Sequence, residues 1–249
     1  MSRFGFAVLG LAALVPCLRA QAVDSKWTVD YETGSTWLAR NVVRIPGDTG
    51  TKFNFRQLTG SGPFAHHRVT VYYNDPRGFG WRLLVAPLEI TSQGSLEQPT
   101  SFAGANFAAN TATEGLYRFN SYRLSYFNRW KQGPKSKWSF GGTLKVRDAE
   151  IRLTQGSLTA KKSDLGVVPL AFLLGEEKLG ERWTAQFELD GLFSPMGRAF
   201  DGSARLAYAI SPRQSVTFGY RLLEGGADNE RVYNFFWANY LVLGVQARF

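Results

Sequence analysis

Thiols are almost missing from this sequence: Cys17 is its only cysteine. It has two histidines, His66 and His67, and two methionines. Beyond the N-terminal segment no apolar run reaches the ~18 residues that a membrane-spanning helix needs. Each shortage excludes something. One cysteine allows no internal disulfide and no thiolate metal site, and a chain that loses its leader keeps no cysteine nucleophile either. Without a long apolar run the chain is not a helical membrane protein. What is plentiful is glycine, 26 residues, together with 19 Phe, 10 Tyr and 7 Trp, in a chain of 249 residues that is 44% hydrophobic and 20% charged. That pairing suits β structure better than a soluble α/β enzyme, and the apolar fraction is too high for a disordered chain. Lys plus Arg number 29 against 20 acidic residues, a net charge of +9.

The first residues read as an address. Arg3 supplies a positive start, Phe4 to Pro16 an apolar stretch, and Ala20-Gln21-Ala22 a small-residue cleavage signal, the three parts of a secretory signal peptide. The expected division is therefore 1–22 as signal peptide and 23–249 as a single domain. An uncleaved anchor helix is the alternative, but about 13 apolar residues are too few to span a bilayer. Lipidation at Cys17 is disfavoured because Pro16 stands where a small residue is wanted. Without Arg3 and Arg19, 27 basic residues face 20 acidic ones.

After the leader the hydrophobic period is two. Phe249, Ala247, Val245, Leu243 and Leu241, with Trp237 and Phe235 further up, alternate with Arg248, Gln246 and Gly244. One face is apolar and the other polar or small, as when a strand separates lipid from a barrel lumen. This segment resembles the C-terminal strand of Gram-negative outer-membrane β-barrels, where a terminal aromatic after alternating apolar residues is read by the barrel-assembly machinery. The resemblance covers about fifteen residues and implies that machinery as a partner through Phe249. Segments 182–192, 199–210 and 214–224 repeat the alternation, and Trp183, Tyr208, Tyr220, Trp237 and Tyr240 fall toward strand ends, as in an interfacial girdle. A soluble sandwich would alternate too, but without a reason for that girdle.

Ten strands are expected: 27–37, 66–73, 80–90, 114–128, 137–153, 166–174, 182–192, 199–210, 214–224 and 231–249. Connectors at 74–78, 131–135, 175–181 and 211–213 are short, while 38–65 and 91–113 are long, matching short periplasmic turns and longer outer loops. Val167 to Leu174 is the weakest strand, apolar on both faces and interrupted by Pro169. The fold class is thus all-β, a closed antiparallel transmembrane barrel of about ten strands, with eight or twelve as alternatives.

Folding the inward positions onto hairpins gathers charge on one wall. Asp190 faces Asp201, Gln186 faces Arg205, Arg221 stands beside Ser203, and Glu188 lies one layer below. The cluster Asp190, Asp201, Arg205 and Arg221 reads first as an ion lattice filling a narrow barrel, and second as a proton-transfer site. At the outer end, Arg147, Asp148, Glu150 and Arg152 crowd a segment whose apolar phase moves from Leu144 and Val146 to Ile151 and Leu153. That shift implies a bulge or the strand's exit from the membrane. Glu224, Asp228 and Asn229 form a second polar outer segment, able to meet a divalent ion but without the spacing of a calcium loop. A long outer loop from Asn41 to Gly50, with Arg44, Lys52 and Arg56, adds further cations.

His66 and His67 are adjacent on a strand, so at most one looks into the lumen. The omptin proteases and the phospholipase and lipid A-modifying barrels have the architecture this chain resembles. Their His-bearing motifs cannot be laid onto it residue by residue, and no activity follows from the likeness. No cofactor or metal is implied. The sequence supports an outer-membrane barrel without catalysis, whose basic outer loops, Arg44, Arg147, Arg152, Arg198 and Arg231 among them, meet lipopolysaccharide or an extracellular ligand. Nucleic acid is not an expected partner. A lipid-modifying hydrolase or acyltransferase and a narrow solute pore are the alternatives.

Overall fold

A computed structural model describes Lys26 to Ser194 and Gly197 to Phe249. The expected signal peptide, with Cys17 and the cleavage site, lies outside the described residues, as does the tip of the turn at Pro195. The strands are β1 Trp27–Arg44, β2 Phe53–Asn54, β3 Phe64–Asn74, β4 Phe79–Ala86, β5 Glu89–Ser95, β6 Thr100–Phe102, β7 Ala105–Phe107, β8 Ala112–Gln132, β9 Ser136–Gln155, β10 Leu158–Lys178, β11 Trp183–Ser194, β12 Gly197–Ala209, β13 Gln214–Asp228 and β14 Tyr233–Arg248. One helical turn, α1 Arg56–Thr59, interrupts the first outer loop.

Successive strands pair antiparallel from β1 to β14, and β14 returns to pair with β1 along Thr28↔Arg248 to Arg44↔Tyr233. The sheet is therefore a ring of ten strands, with β4 and β5 sharing one place in the wall because both pair with β8 on either side of Pro87. Closure leaves the transmembrane wall with few orphaned backbone groups, the condition for crossing hydrocarbon with strands. All ten expected strands are present, β10 included. Pro169 is tolerated there because it sits two residues beyond Ala171, the last β10 residue paired with β11.

Exposure is the reverse of a soluble protein's. Leu83, Leu124 and Leu144 form a cross-strand row that is 54%, 47% and 57% exposed, while Arg82 and Arg123 beside them are 0% and 2% exposed. Lipid covers the leucines, and the arginines face the lumen. Aromatic pairs mark the periplasmic edge of this belt: Trp27 on Tyr73, Trp81 on Tyr126 and Trp183 on Tyr208, each with ring centroids 4.9 Å apart. Tyr240 does not belong to a girdle as expected. It lies on the inward parity of β14, buried, with its ring 4.9 Å from His66 edge to face.

Toward the outer ends the faces exchange their chemistry without a change of register. On β9, Thr143 and Lys145 point inward; so do Ile151 and Leu153, six and eight residues beyond Lys145 on the same parity. The ladder with β8 and β10 is unbroken across this segment, so the sequence phase shift is not a bulge. It is the strand's exit from lipid: beyond it the outward positions carry charge, Asp148, Glu150 and Arg152 gathered around Arg118, and the apolar residues turn in. Ile151 and Leu153 join Val43, Ile45, Phe53, Phe55, Leu58, Ile90, Leu96, Phe102, Phe107 and Phe236 in a buried core beneath the two long outer loops. The first loop is shorter than expected, because β1 continues to Arg44 and carries Asn41 to Arg44 in the wall.

Candidate functional site

The lumen inside the lipid belt holds the charges. The expected register is the observed one: Asp190↔Asp201, Gln186↔Arg205, Glu188↔Ser203 and Ser203↔Arg221. The opposite wall supplies the partners. Asp201 accepts from Arg123 Nη2 at 2.6 Å, Arg221 Nη1 at 2.6 Å and Arg68 Nη2 at 3.2 Å. Asp190 accepts from Arg82 Nη2 at 2.8 Å, Arg123 Nη1 at 2.6 Å and the Thr143 hydroxyl at 2.7 Å. Glu188 pairs with Arg82 Nη1 at 3.1 Å and receives the Tyr72 hydroxyl. Arg221 donates to Glu32 at 2.9 Å, and Arg205 Nη2 to Asp30 at 2.7 Å.

Five guanidiniums thus balance five carboxylates, Asp30, Glu32, Glu188, Asp190 and Asp201, every one of the ten no more than 7% exposed. Such a set holds together only as a set, since an unpaired ion in this space would keep its full desolvation cost. Arg82 and Arg123 hold Asp190, and Arg68, Arg123 and Arg221 hold Asp201, through charge-assisted hydrogen bonds, while Asp30 Oδ1 is buried without a hydrogen-bond partner among the described residues. The expected cluster of Asp190, Asp201, Arg205 and Arg221 is therefore one wall of an ion lattice. Asp30, Glu32, Arg68, Arg82 and Arg123 escaped the sequence reading because their partners lie across the barrel. The signal was available: each is a charged residue in the inward phase of a strand whose outward phase is apolar, as with Arg82 between Trp81 and Leu83.

Two cavities flank the lattice and share no lining residue. One of about 470 Å³ is lined by Lys26, Tyr72, Lys135, Lys178, Glu188 and Arg205, among others, at the periplasmic end. The other, about 270 Å³, reaches from Asp190 and Asp201 to Arg231 at the outer end. Glu32, Arg68, Arg82 and Arg221, all 6% exposed or less, lie between them.

His66 is the inward histidine, with Nε2 3.5 Å from Glu32 Oε1; His67 faces out and meets the Tyr31 hydroxyl at 2.8 Å. Neither stands in a described hydrogen bond with a serine.

The expected rim residues separate into different groups. Asp148 and Glu150 face outward around Arg118, at 3.4 and 3.1 Å, and Arg152 reaches Glu150 at 3.4 Å. Arg147, by contrast, turns inward and pairs with Asp164. Glu224 is taken by Arg198 at 2.6 Å, and Asn229 Oδ1 caps the backbone N–H groups of Arg231 and Val232 at 3.0 Å each. The structure thus does not gather Glu224, Asp228 and Asn229 around a common point, and no cluster able to hold a metal ion occurs among the described residues.

Arg44 stands apart. It lies over the Tyr233 ring at 5.1 Å, Lys52 covers the same ring at 4.4 Å, and Arg40 stacks on Phe235 at 4.8 Å. Phe235 in turn lies over Gly226, where a Cβ would come within 2.2 Å of its ring. The described residues provide no carboxylate in ion-pairing range of these three cations; Arg40 Nη2, at 3.4 Å, and Lys52 both donate to the Tyr233 hydroxyl.

A second concentration of positive charge, which the sequence reading did not single out, lies at the opposite end. Lys26, Arg77, Arg129, Lys131, Lys135, Lys137, Lys178, Arg182, Arg213 and Arg248 crowd the periplasmic end against Asp75, Glu176, Glu177 and Glu181.

A closed wall with an apolar exterior, an ionic interior and an aromatic edge decides the class. This is an outer-membrane β-barrel protein. No protein-family model matches the chain, and no curated protein does. Among solved structures it is similar to the outer membrane protease OmpT from Escherichia coli, at 10% identity and a TM-score of 0.49 over 91% of this chain and 97% of that one. Neisserial surface protein A matches at 11% identity and a TM-score of 0.38 over 90% of this chain and 98% of that one. The attachment invasion locus protein Ail of Yersinia pestis matches at 10% identity and a TM-score of 0.37 over 90% and 99%. At such identities the likeness is one of architecture alone.

Proposed function

We propose that this barrel is a sealed outer-membrane protein that holds anionic groups of lipopolysaccharide on its outer rim, without catalysis. The observation that carries the reading is the trio Arg40, Arg44 and Lys52, stacked on Tyr233 and Phe235 with no carboxylate to neutralise them. They sit on the β1–β14 face above Trp37 and Trp237, where lipid phosphates of the outer leaflet come within reach. Guanidinium forks suit phosphate oxygens, and ring faces fix the long side chains in place, so less entropy is lost on binding. The internally paired Arg118, Asp148, Glu150 and Arg152 group contributes no comparable free charge. The lattice between the two cavities speaks for a plugged barrel rather than a pore. Phe249, at the end of the closing strand, is the segment we assign to the barrel-assembly machinery.

The test is retention of lipopolysaccharide by the protein purified in mild detergent. The triple variant Arg40→Gln, Arg44→Gln, Lys52→Gln should lose most of the bound lipid A, and high salt should release it from the native protein. Equal retention by the native and triple-variant proteins would refute the reading.

A further inference from the structure

The outer cavity carries a cation that the lattice does not use. Lys145 is 3% exposed and lines the cavity floor. Its ammonium lies 4.7 Å from the centre of the Phe119 ring, and it forms no ion pair or hydrogen bond with any described residue. Asp190 and Asp201 border the same floor, but each is already held at 2.6 Å by Arg123. With five guanidiniums matched to five carboxylates, Lys145 is a buried ammonium on the cavity floor left without an ion pair. Such an ion is costly unless something pairs with it. Above it one side of the cavity is apolar, with Phe119, Val168, Leu170, Leu223 and Phe236, while Arg147, Lys162, Arg198 and Arg231 line it toward the outer end.

The same cavity has a way in from the side. β10 pairs with β11 only from Ala171↔Gly191 down to Lys178↔Thr184, whereas its pairing with β9 continues up to Leu158↔Gln155. From Leu158 to Leu170 the strand therefore has one hydrogen-bonded neighbour, and β11, paired with β12 along its whole length, ends at Ser194↔Gly197. Pro169, which has no N–H to offer, stands where the ladder stops. Val168 and Leu170 face the cavity on this strand, while Leu165 and Val167, 75% and 66% exposed, face the lipid, as does Phe193 at 74% on the other side of the gap. The rim of the opening is thus apolar and lies within the span of the lipid belt.

We propose that this cavity is a lateral-entry site for a single-chain carboxylate amphiphile of the fatty-acid class. The carboxylate pairs with Lys145, and the chain runs along Phe119 and Leu170 and leaves through the gap between β10 and β11 into the outer leaflet. The unpaired ammonium on the floor takes the carboxylate, and a cavity of about 270 Å³ takes one chain, its end remaining in lipid. This site is separate from the rim trio, and neither proposal depends on the other.

The probe is palmitate, with hexadecanol as its uncharged counterpart, on the full chain reconstituted in vesicles. The native protein should retain palmitate at least tenfold better than hexadecanol. Lys145→Met, which keeps the length of the side chain and drops its charge, should abolish that preference, and Leu170→Trp should reduce retention of both. The shift in gel mobility between folded and heat-denatured protein confirms that each variant is folded. Palmitate is supplied either dissolved in the bilayer or carried on albumin in the aqueous phase. Loading from the bilayer without albumin supports lateral entry; loading from albumin alone overturns it. Equal retention of palmitate and hexadecanol by the native protein, or undiminished palmitate retention by Lys145→Met, overturns the site. Normal lipid A retention by Lys145→Met would show that the rim proposal stands or falls separately.

Discussion

Replacing Asp201 with Asn tests whether the lumen is a lattice. The change is nearly isosteric, so it alters charge and leaves volume in place. In the native protein the carboxylate accepts from Arg123 and Arg221 at 2.6 Å and from Arg68 at 3.2 Å, all within a layer no more than 7% exposed. An ion pair at about 4 Å in an effective dielectric of ~20 is worth about 4 kcal/mol, and removing one member of a buried pair typically costs 3 to 5 kcal/mol, roughly the same size. Asp201→Asn should therefore destabilise the barrel by about 3 to 5 kcal/mol, because three guanidiniums lose a shared counter-charge at once. The assay is the urea midpoint of refolding in phospholipid vesicles, followed by the mobility difference between folded and unfolded protein. The pairing makes a second demand. Arg123→Gln in the Asp201→Asn background removes one of the stranded cations, so the double variant should be less destabilised than the two single costs added together, by at least about 1 kcal/mol. A cost below about 1 kcal/mol for Asp201→Asn, or strict additivity in the double variant, would mean that water enters the layer freely and the lattice reasoning is wrong.

Other outcomes follow from the same geometry. Leu124→Arg, in the middle of the lipid-facing leucine row, should cost about 2 to 4 kcal/mol, and Phe187→Arg less, because Phe187 stacks on Trp138 near the periplasmic edge. Thr184→Lys, at the periplasmic cavity, should be milder than either, and equal costs at the three sites would mean that the faces are reversed. In planar bilayers the native protein should show no discrete conductance, whereas Arg82→Ala with Asp190→Ala, which opens the layer between the cavities, should raise ion leakage; steady single-channel steps from the native protein would refute the plugged lumen. At the periplasmic turn, side-chain hydrogen bonds from Arg77, then its backbone N–H and the Tyr73 hydroxyl, hold the Asp75 carboxyl well below the usual carboxylate range. A lowered native pKa stabilises fully above the unfolded value of about 3.9 and is lost as pH falls through the native one, so Asp75→Asn should lower urea stability at neutral pH and flatten the acid limb below about pH 4, the two curves converging at the acid end. A variant whose acid limb matches the native one would sever that link.

The wall was legible because its signal is local. Alternation along a strand fixes which side chains share a face, and the short connectors fix which strands are neighbours, so the register from Trp183 through Arg221 could be written down from the chain alone. What crosses the lumen was not legible. Arg123 lies 78 positions from Asp201 and Arg82 108 from Asp190, and nothing in local spacing brings them together. The outer end misled for a different reason. Parity does not reveal where lipid stops, so Ile151 and Leu153 looked like a break in the strand, and Tyr240 looked interfacial when its parity placed it beside His66. The rim was only partly readable: Arg44 was identified by its type, but Arg40 and Lys52 owe their role to aromatic rings on a strand nearly 200 positions away.

The exchange of faces along an unbroken ladder also sets how deeply the barrel sits. At ~3.3 Å of rise per residue, sinking the molecule by one residue pair would bring Glu150 and Arg152 against acyl chains at one end, while raising it would lift Leu83, Leu124 and Leu144 toward headgroups. Both displacements are uphill, so the protein floats at a fixed waterline drawn by its own side chains. A thinner or thicker bilayer must then adapt to it, by bending its leaflets around the wall.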